Sequence, residues 1–332
     1  MTKPAFTQPQ PQPQSSANED IASVDVAVAG GGLAGLAAAL TLGRARRSVL
    51  VIDAGHPRNA PAAHMHGYLT RDGKNPLEML RLGREEVRSY GGHIVRGTVA
   101  SVTRLDDGRF QLTTGDGAGY RARRVLVATG LVDRYPDIPG LHERWGRDVV
   151  HCPYCFGWEL RDGALAVLGT GPTAVMQALM WRQWTTDVVL FQHTAPEPGP
   201  EQSAQLAARG IKVVRGEVEA IEIHDDRITG VRLASGEVHP REVVAVNPWF
   251  EARTDLLGPL GAKLTDHPLG IGRQAQAEPS GYTGVPGVWV AGNVLDVTAG
   301  VMQSAASGVT AAATLNADLT LEDTAHALAA QK

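Results

Sequence analysis

The chain has 332 residues, 43% of them hydrophobic and 20% charged, with a net charge of -4. That is apolar material for about two domains and a large core, so a disordered chain is excluded, and the mildly acidic balance argues against a nucleic-acid surface. Glycine, at 38 residues, is in excess without a G-X-Y period, which excludes collagen, and two cysteines are too few for a disulfide scaffold.

Residues 1–20 alternate Pro with Gln and predict an extended, disordered tail with no signal-peptide core. The most apolar run, 26–42, is short for a membrane span and glycine-rich, so the chain reads as soluble and cytoplasmic. Residues 24–29, VDVAVA, predict a buried parallel strand. A G-x-G-x-x-G turn follows: Gly30, Gly31, Gly32, Leu33, Ala34 and Gly35. Gly30 permits the tight turn, Gly32 lets the backbone approach a pyrophosphate, and Gly35 lets the next helix pack closely on the strand. That helix offers its N-terminal N–H groups to phosphates. The next strand ends at Asp53, 18 residues after Gly35, where an acid can hold ribose hydroxyls.

Further on, 77–82 predict an amphipathic helix, and 93–127 alternate polar and apolar residues as a small antiparallel meander would. Residues 124–130 form an apolar strand ending in Ala128, Thr129 and Gly130. Cys152-Pro153-Tyr154-Cys155 is the sole cysteine pair, spaced as a redox couple. No metal site is expected, since His64 and His66 lack further ligands nearby. A second unit starts at the strand before Gly169-Thr170-Gly171-Pro172-Thr173-Ala174, again followed by a helix and a strand. After that strand, however, stands Gln192-His193-Thr194-Ala195-Pro196, with neither an acid for a ribose 2′-hydroxyl nor arginines for a 2′-phosphate. Last come a strand ending in Ala291-Gly292-Asn293 and a long helix of small residues from Gly300.

These elements predict an α/β fold of two Rossmann-like, doubly wound, three-layer dinucleotide-binding domains, the second inserted into the first. The first spans 21–133 and 247–332, and the second, carrying the cysteines, spans 134–246. Disulfide exchange near neutral pH needs a base, and His151, beside Cys152, is a candidate.

The ordered set GGGLAG, ATG, CPYC, GTGPTA and AGN followed by MQSAASG resembles the low-molecular-weight thioredoxin reductase family. The resemblance covers nearly the whole chain after the tail. It implies a homodimer with FAD in the discontinuous domain and a C-x-x-C pair that exchanges electrons with the flavin. Cys155 is then the thiol facing the flavin, and Cys152 the one that meets the substrate sulfur. The implied flavin contacts are Gly30, Gly32, Leu33, Ala34, Gly35, Asp53, Val99, Ala128, Thr129, Gly130, Gly292, Asn293, Gln303 and Ser304. Arg58 is added as a phosphate partner. Asn293 stands where the family has an acid, and Phe156 stands where the family has an acid after the second cysteine.

The missing acid and arginines resemble a branch of the family, the dithiol oxidases of disulfide natural products such as holomycin and gliotoxin. Many of its members carry histidine at the position of Phe156. In that branch the segment around His64 and His66 approaches the flavin, so His66 is taken as a flavin contact and His64 as a second base candidate. The expected reaction closes a disulfide in a small dithiol, with electrons passing through Cys152–Cys155 and FAD to O2 to give hydrogen peroxide. The alternatives are an NAD(P)H-dependent disulfide reductase and a non-catalytic flavin redox sensor.

Overall fold

The computed structural model describes residues 23–331, so the expected tail at 1–20 lies outside the described residues. The β-branched run before the glycines forms the strand Ser23–Ala29, flanked in parallel by Val49–Asp53 and by Gly119–Val127. His93–Arg96 extends the sheet beyond Val49–Asp53, also in parallel. The nine-residue strand Gly119–Val127 does two jobs. Its first half pairs antiparallel with Phe110–Thr114, and its second half pairs in parallel with Val288–Val290. The segment 93–127 holds the expected antiparallel meander, Val99–Arg104 against Phe110–Thr114 against Gly119–Val127, but is continuous with the parallel sheet. Its first strand joins the parallel sheet, and its last strand crosses that sheet's centre, where Val125, Leu126 and Val127 are fully buried.

A second sheet is wholly parallel, in the order Lys212–Val214, Val188–Phe191, Leu165–Leu168, Val243–Val246 and Val149–Val150. Its three middle strands are four-residue apolar runs buried at every position, as helix-covered parallel strands require. Two antiparallel strands, Leu131–Arg134 and Trp249–Ala252, carry the chain between the two sheets. The fold is thus mixed α/β with two dinucleotide-binding units.

Helix Leu33–Arg44 packs on the 29-residue helix Val301–Ala329. Small residues set the contact: a Cβ on Gly308 would collide with the carbonyl oxygen of Ala34. The far end of the long helix is tied down by charge. Arg123 donates to Asp25, Glu322 and Asp323, Arg124 to Asp318 and Glu322, and Arg47 to Asn316 and Asp323. Arg123→Ala leaves three carboxylates without their shared partner. It should lower unfolding free energy in urea by about 1–2 kcal/mol, a charged hydrogen-bond loss discounted for partial exposure. An unchanged midpoint would show that the cluster does not hold the helix. Among the described residues, no helix is long and apolar enough to cross a membrane.

Candidate active site

The first glycine turn forms as its residue types demand. Gly30 has φ +108°, and a Cβ there would strike the carbonyl oxygen of Ala128. A Cβ on Gly31 would lie 2.7 Å from the Asp53 Cβ, and a Cβ on Gly35 would meet the Gly30 carbonyl. Gly32, the N-cap of helix Leu33–Arg44, would meet nothing within 4 Å. The backbone there is open toward a cavity of about 850 Å³. Every site residue expected from the sequence lines this cavity except Gly35, which sits behind the turn.

The cavity fits FAD. The starts of helices Leu33–Arg44 and Val301–Ala329 have no side-chain cap, so their first N–H groups suit an anionic group, with Gly300, Gln303 and Ser304 on the wall beside the second helix start. Asp53 stands beside Gly31, accepting from its N–H at 3.2 Å and from Arg84 at 2.9 Å. Gly292 turns with φ +69°, its N–H donating to Ser307. The Asn293 amide donates instead to the carbonyls of Asp296 and Ala299, at 3.1 and 2.9 Å, so its side chain shapes the loop before the long helix. Val99 lines the wall beside Thr98, and Thr129 donates to the Arg253 carbonyl.

Arg58 departs from expectation. Its guanidinium clasps Asp133 at 2.6 and 2.8 Å and lies over the Phe250 ring at 5.3 Å. A cation neutralised by a bidentate carboxylate is not free for a phosphate. It also reaches Nε2 of His151 at 3.4 Å.

Cys152 and Cys155 form a disulfide at the start of the short helix Pro153–Phe156 and line the same cavity. Phe156 packs into the apolar cluster of Val150, Leu165, Val167 and Trp181, so the position after the second cysteine holds hydrocarbon rather than a proton acceptor. His151 stacks on Trp145 and meets Phe250 edge-on. Burial, seconded by the Arg58 guanidinium, pushes its imidazole down to about 4. With Nε2 accepting from Arg58 and so weak a basicity, His151 is not placed to act as the expected base.

His64 and His66 lie two residues apart on one side of a strand-like segment, with Met65 buried between them and bridged to Lys74. His64 Nδ1 meets the Gly73 carbonyl at 3.0 Å. Both nitrogens of His66 face carboxylates: Nδ1 lies 3.1 Å from Asp72 and Nε2 3.4 Å from Glu159. His66 also lines the cavity that fits FAD. The sequence reading missed Asp72, Asp133 and Trp145; the H-G-x4-D spacing across the Gly67 and Gly73 turns was the available signal for Asp72.

The second turn keeps its form but not its room. A Cβ on Gly169 would lie 2.6 Å from the Gln192 carbonyl oxygen, while Gly171 is open. The hollow there, walled by Pro172, Gln192, Pro196 and Pro198, measures about 90 Å³. Drug-sized ligands occupy ~300–1,000 Å³.

The pyridine nucleotide-disulphide oxidoreductase family pattern matches residues 24–312. Thioredoxin reductase sirT of Leptosphaeria maculans is 30% identical over 323 residues, covering 88% of this chain and 93% of its own. The crystal structure of HlmI superposes with a TM-score of 0.87 at 46% identity, covering 93% of this chain and 96% of that one. That of an oxidoreductase from Agrobacterium tumefaciens gives 0.84 at 34% identity, covering 90% and 99%.

Proposed function

The chain belongs to the pyridine nucleotide-disulphide oxidoreductase family, as a thioredoxin reductase-like flavoprotein that binds FAD, and we propose that it is a dithiol oxidase closing an intramolecular disulfide in a small molecule. One contrast carries this reading. The disulfide opens into the roomy first cradle, of about 850 Å³, whereas the second cradle has about 90 Å³ and no residue that selects a nicotinamide ribose. A reductase needs that second cradle; an oxidase fed by its substrate does not.

Residues 23–133 with 247–331 form the flavin domain, and 134–246 the inserted one. Gly30, Gly32 and the two helix N-termini hold the cofactor's phosphates, and Asp53 the adenosine ribose. A substrate thiolate attacks Cys152 and the second substrate thiol resolves the mixed disulfide, leaving Cys155 as the thiolate toward the flavin. Bound FAD would supply a two-electron acceptor for the reduced cysteine pair, with O2 as the final oxidant and hydrogen peroxide as its product. The apolar wall of Trp145, Phe156 and Phe250 keeps water from the exchanging sulfurs. The protein acts as a cytoplasmic homodimer on a small dithiol.

Anaerobic mixing decides between donors. Dithiothreitol is expected to bleach the bound oxidised flavin, and readmitted air to restore it with stoichiometric peroxide. NADPH and NADH should leave the flavin oxidised. Rapid bleaching by either nicotinamide overturns the oxidase reading in favour of a disulfide reductase.

A further inference from the structure

Thiol–disulfide exchange at this site needs a proton acceptor, and the two positions nearest the sulfurs do not provide one. Phe156 follows Cys155 and packs into hydrocarbon, and His151 precedes Cys152 with Nε2 turned to Arg58. We propose that His66 is the general base of the exchange at Cys152–Cys155, oriented by Asp72 and sharing a proton site with Glu159; this rests on the dithiol oxidase reading.

Three observations converge on that ring. Asp72 is itself fixed, one oxygen accepting the Gly67 N–H at 2.9 Å and the other facing His66 Nδ1 at 3.1 Å. Those two contacts, the Gly67 N–H first, hold the Asp72 carboxyl below the usual range, so it stays ionised and keeps the imidazole proton on Nδ1. Nε2 is left as the basic nitrogen. It is buried, and the group that faces it is the Glu159 carboxylate. It also points at the right segment. Glu159 Oε1, 3.4 Å from Nε2, lies four residues after Cys155, and His66 lines the same cavity as both cysteines. The charged groups that face the ring are thus Asp72 from its own loop and Glu159 from the inserted unit. His64, two residues away, has no carboxylate behind it and donates to a backbone carbonyl.

The exchange balances on these groups. His66 Nε2 takes the proton of the first substrate thiol. The resulting thiolate attacks Sγ of Cys152, the Cys152–Cys155 bond breaks, and Cys155 leaves with the electron pair as a thiolate. The second substrate thiol then attacks the substrate sulfur of the mixed disulfide. Cys152 departs with the pair and takes that thiol's proton. Two electrons have moved from substrate to enzyme, one proton rests on Cys152 and one on the His66–Glu159 site.

The test uses the FAD-loaded protein, dithiothreitol as probe and anaerobic flavin bleaching followed across pH. His66→Gln is expected to slow bleaching about 100-fold at pH 7, the lower end of what a lost general base costs. The rate should recover at alkaline pH, where the probe's thiols ionise without a base. Asp72→Asn should shift the profile in the same direction by less, and free imidazole should restore part of the rate in His66→Ala. Should His66→Gln lose flavin, Asp72→Asn, altered on an exposed loop, reads the same shift. A wild-type rate and pH profile in His66→Gln overturns the proposal, as does the shift appearing in His64→Gln instead. Wild-type protein that dithiothreitol fails to bleach at any pH refutes the oxidase reading itself, an outcome distinct from equal bleaching of wild type and His66→Gln.

Discussion

Dithiol turnover is expected to disappear in both Cys152→Ser and Cys155→Ser, by more than about 10³-fold, the scale on which an essential nucleophile acts. Each variant keeps one sulfur but no S–S bond, so the substrate thiolate has nothing to attack and no two-electron acceptor of its own kind. The loss can be read free of any folding defect. The bridge joins residues only three apart in sequence. Loop-closure entropy rises with loop length, reaching about 3 kcal/mol at 15 residues, so this bridge contributes less to stability. Melting temperature and flavin content should therefore stay close to wild type while oxygen consumption stops. Dithiol-dependent peroxide formation by either variant would show that substrate reduces the flavin without the pair and would remove the exchange mechanism.

The second large effect falls on the cofactor. Gly32→Val should weaken FAD binding by about 10–100-fold, the equivalent of the ~1–3 kcal/mol that overpacking costs. The position is informative because the protein itself has room: an added Cβ meets no atom within 4 Å, and the backbone, at φ -72°, suits any residue. The apoprotein should thus melt as wild type does, and the side chain should collide only with a bound pyrophosphate. Titration of apoprotein with FAD, followed by flavin fluorescence, measures it. Unchanged affinity would place the phosphates elsewhere on the cavity wall. Gly30→Val offers the contrast, since φ +108° and the Ala128 carbonyl oppose it in the folded chain with or without cofactor.

The parts legible in the sequence were those written in local chemistry. The G-x-G-x-x-G turn, the apolar strands on either side of it and the C-x-x-C spacing each follow from a few consecutive residues. The closing strand Val288–Val290 pairs beside Gly119–Val127, where its apolar run pointed. Side-chain partners across long separations were not legible. Arg58 is 75 residues from Asp133, and nothing in its own neighbourhood marks it as neutralised rather than free for a phosphate. Arg84 reads as one more charge on an amphipathic helix until that helix lies beside Asp53. The carboxylates around His66 were not legible either, because one stands beyond a glycine turn and one in the inserted unit. The antiparallel pairing within 99–127 was legible, whereas the place of its last strand in the parallel sheet was not. Alternation in the first half of Gly119–Val127 describes one neighbour, and the solid apolar run in the second half describes others.

The long helix Val301–Ala329 has both of its ends engaged. Its first turn stands on the cofactor wall, and residues 316–323 are clamped by Arg47, Arg123 and Arg124. At about 1.5 Å per residue the stretch from Val301 to Asp323 is a rod of some 33 Å running between the two. The seam with helix Leu33–Arg44 leaves no slack for the rod to slide, because Gly308 already touches backbone. Cofactor retention and anchoring of the carboxyl-terminal turns are thereby one mechanical unit, and on heating the yellow colour should leave the protein in the same transition that frees the end of the chain.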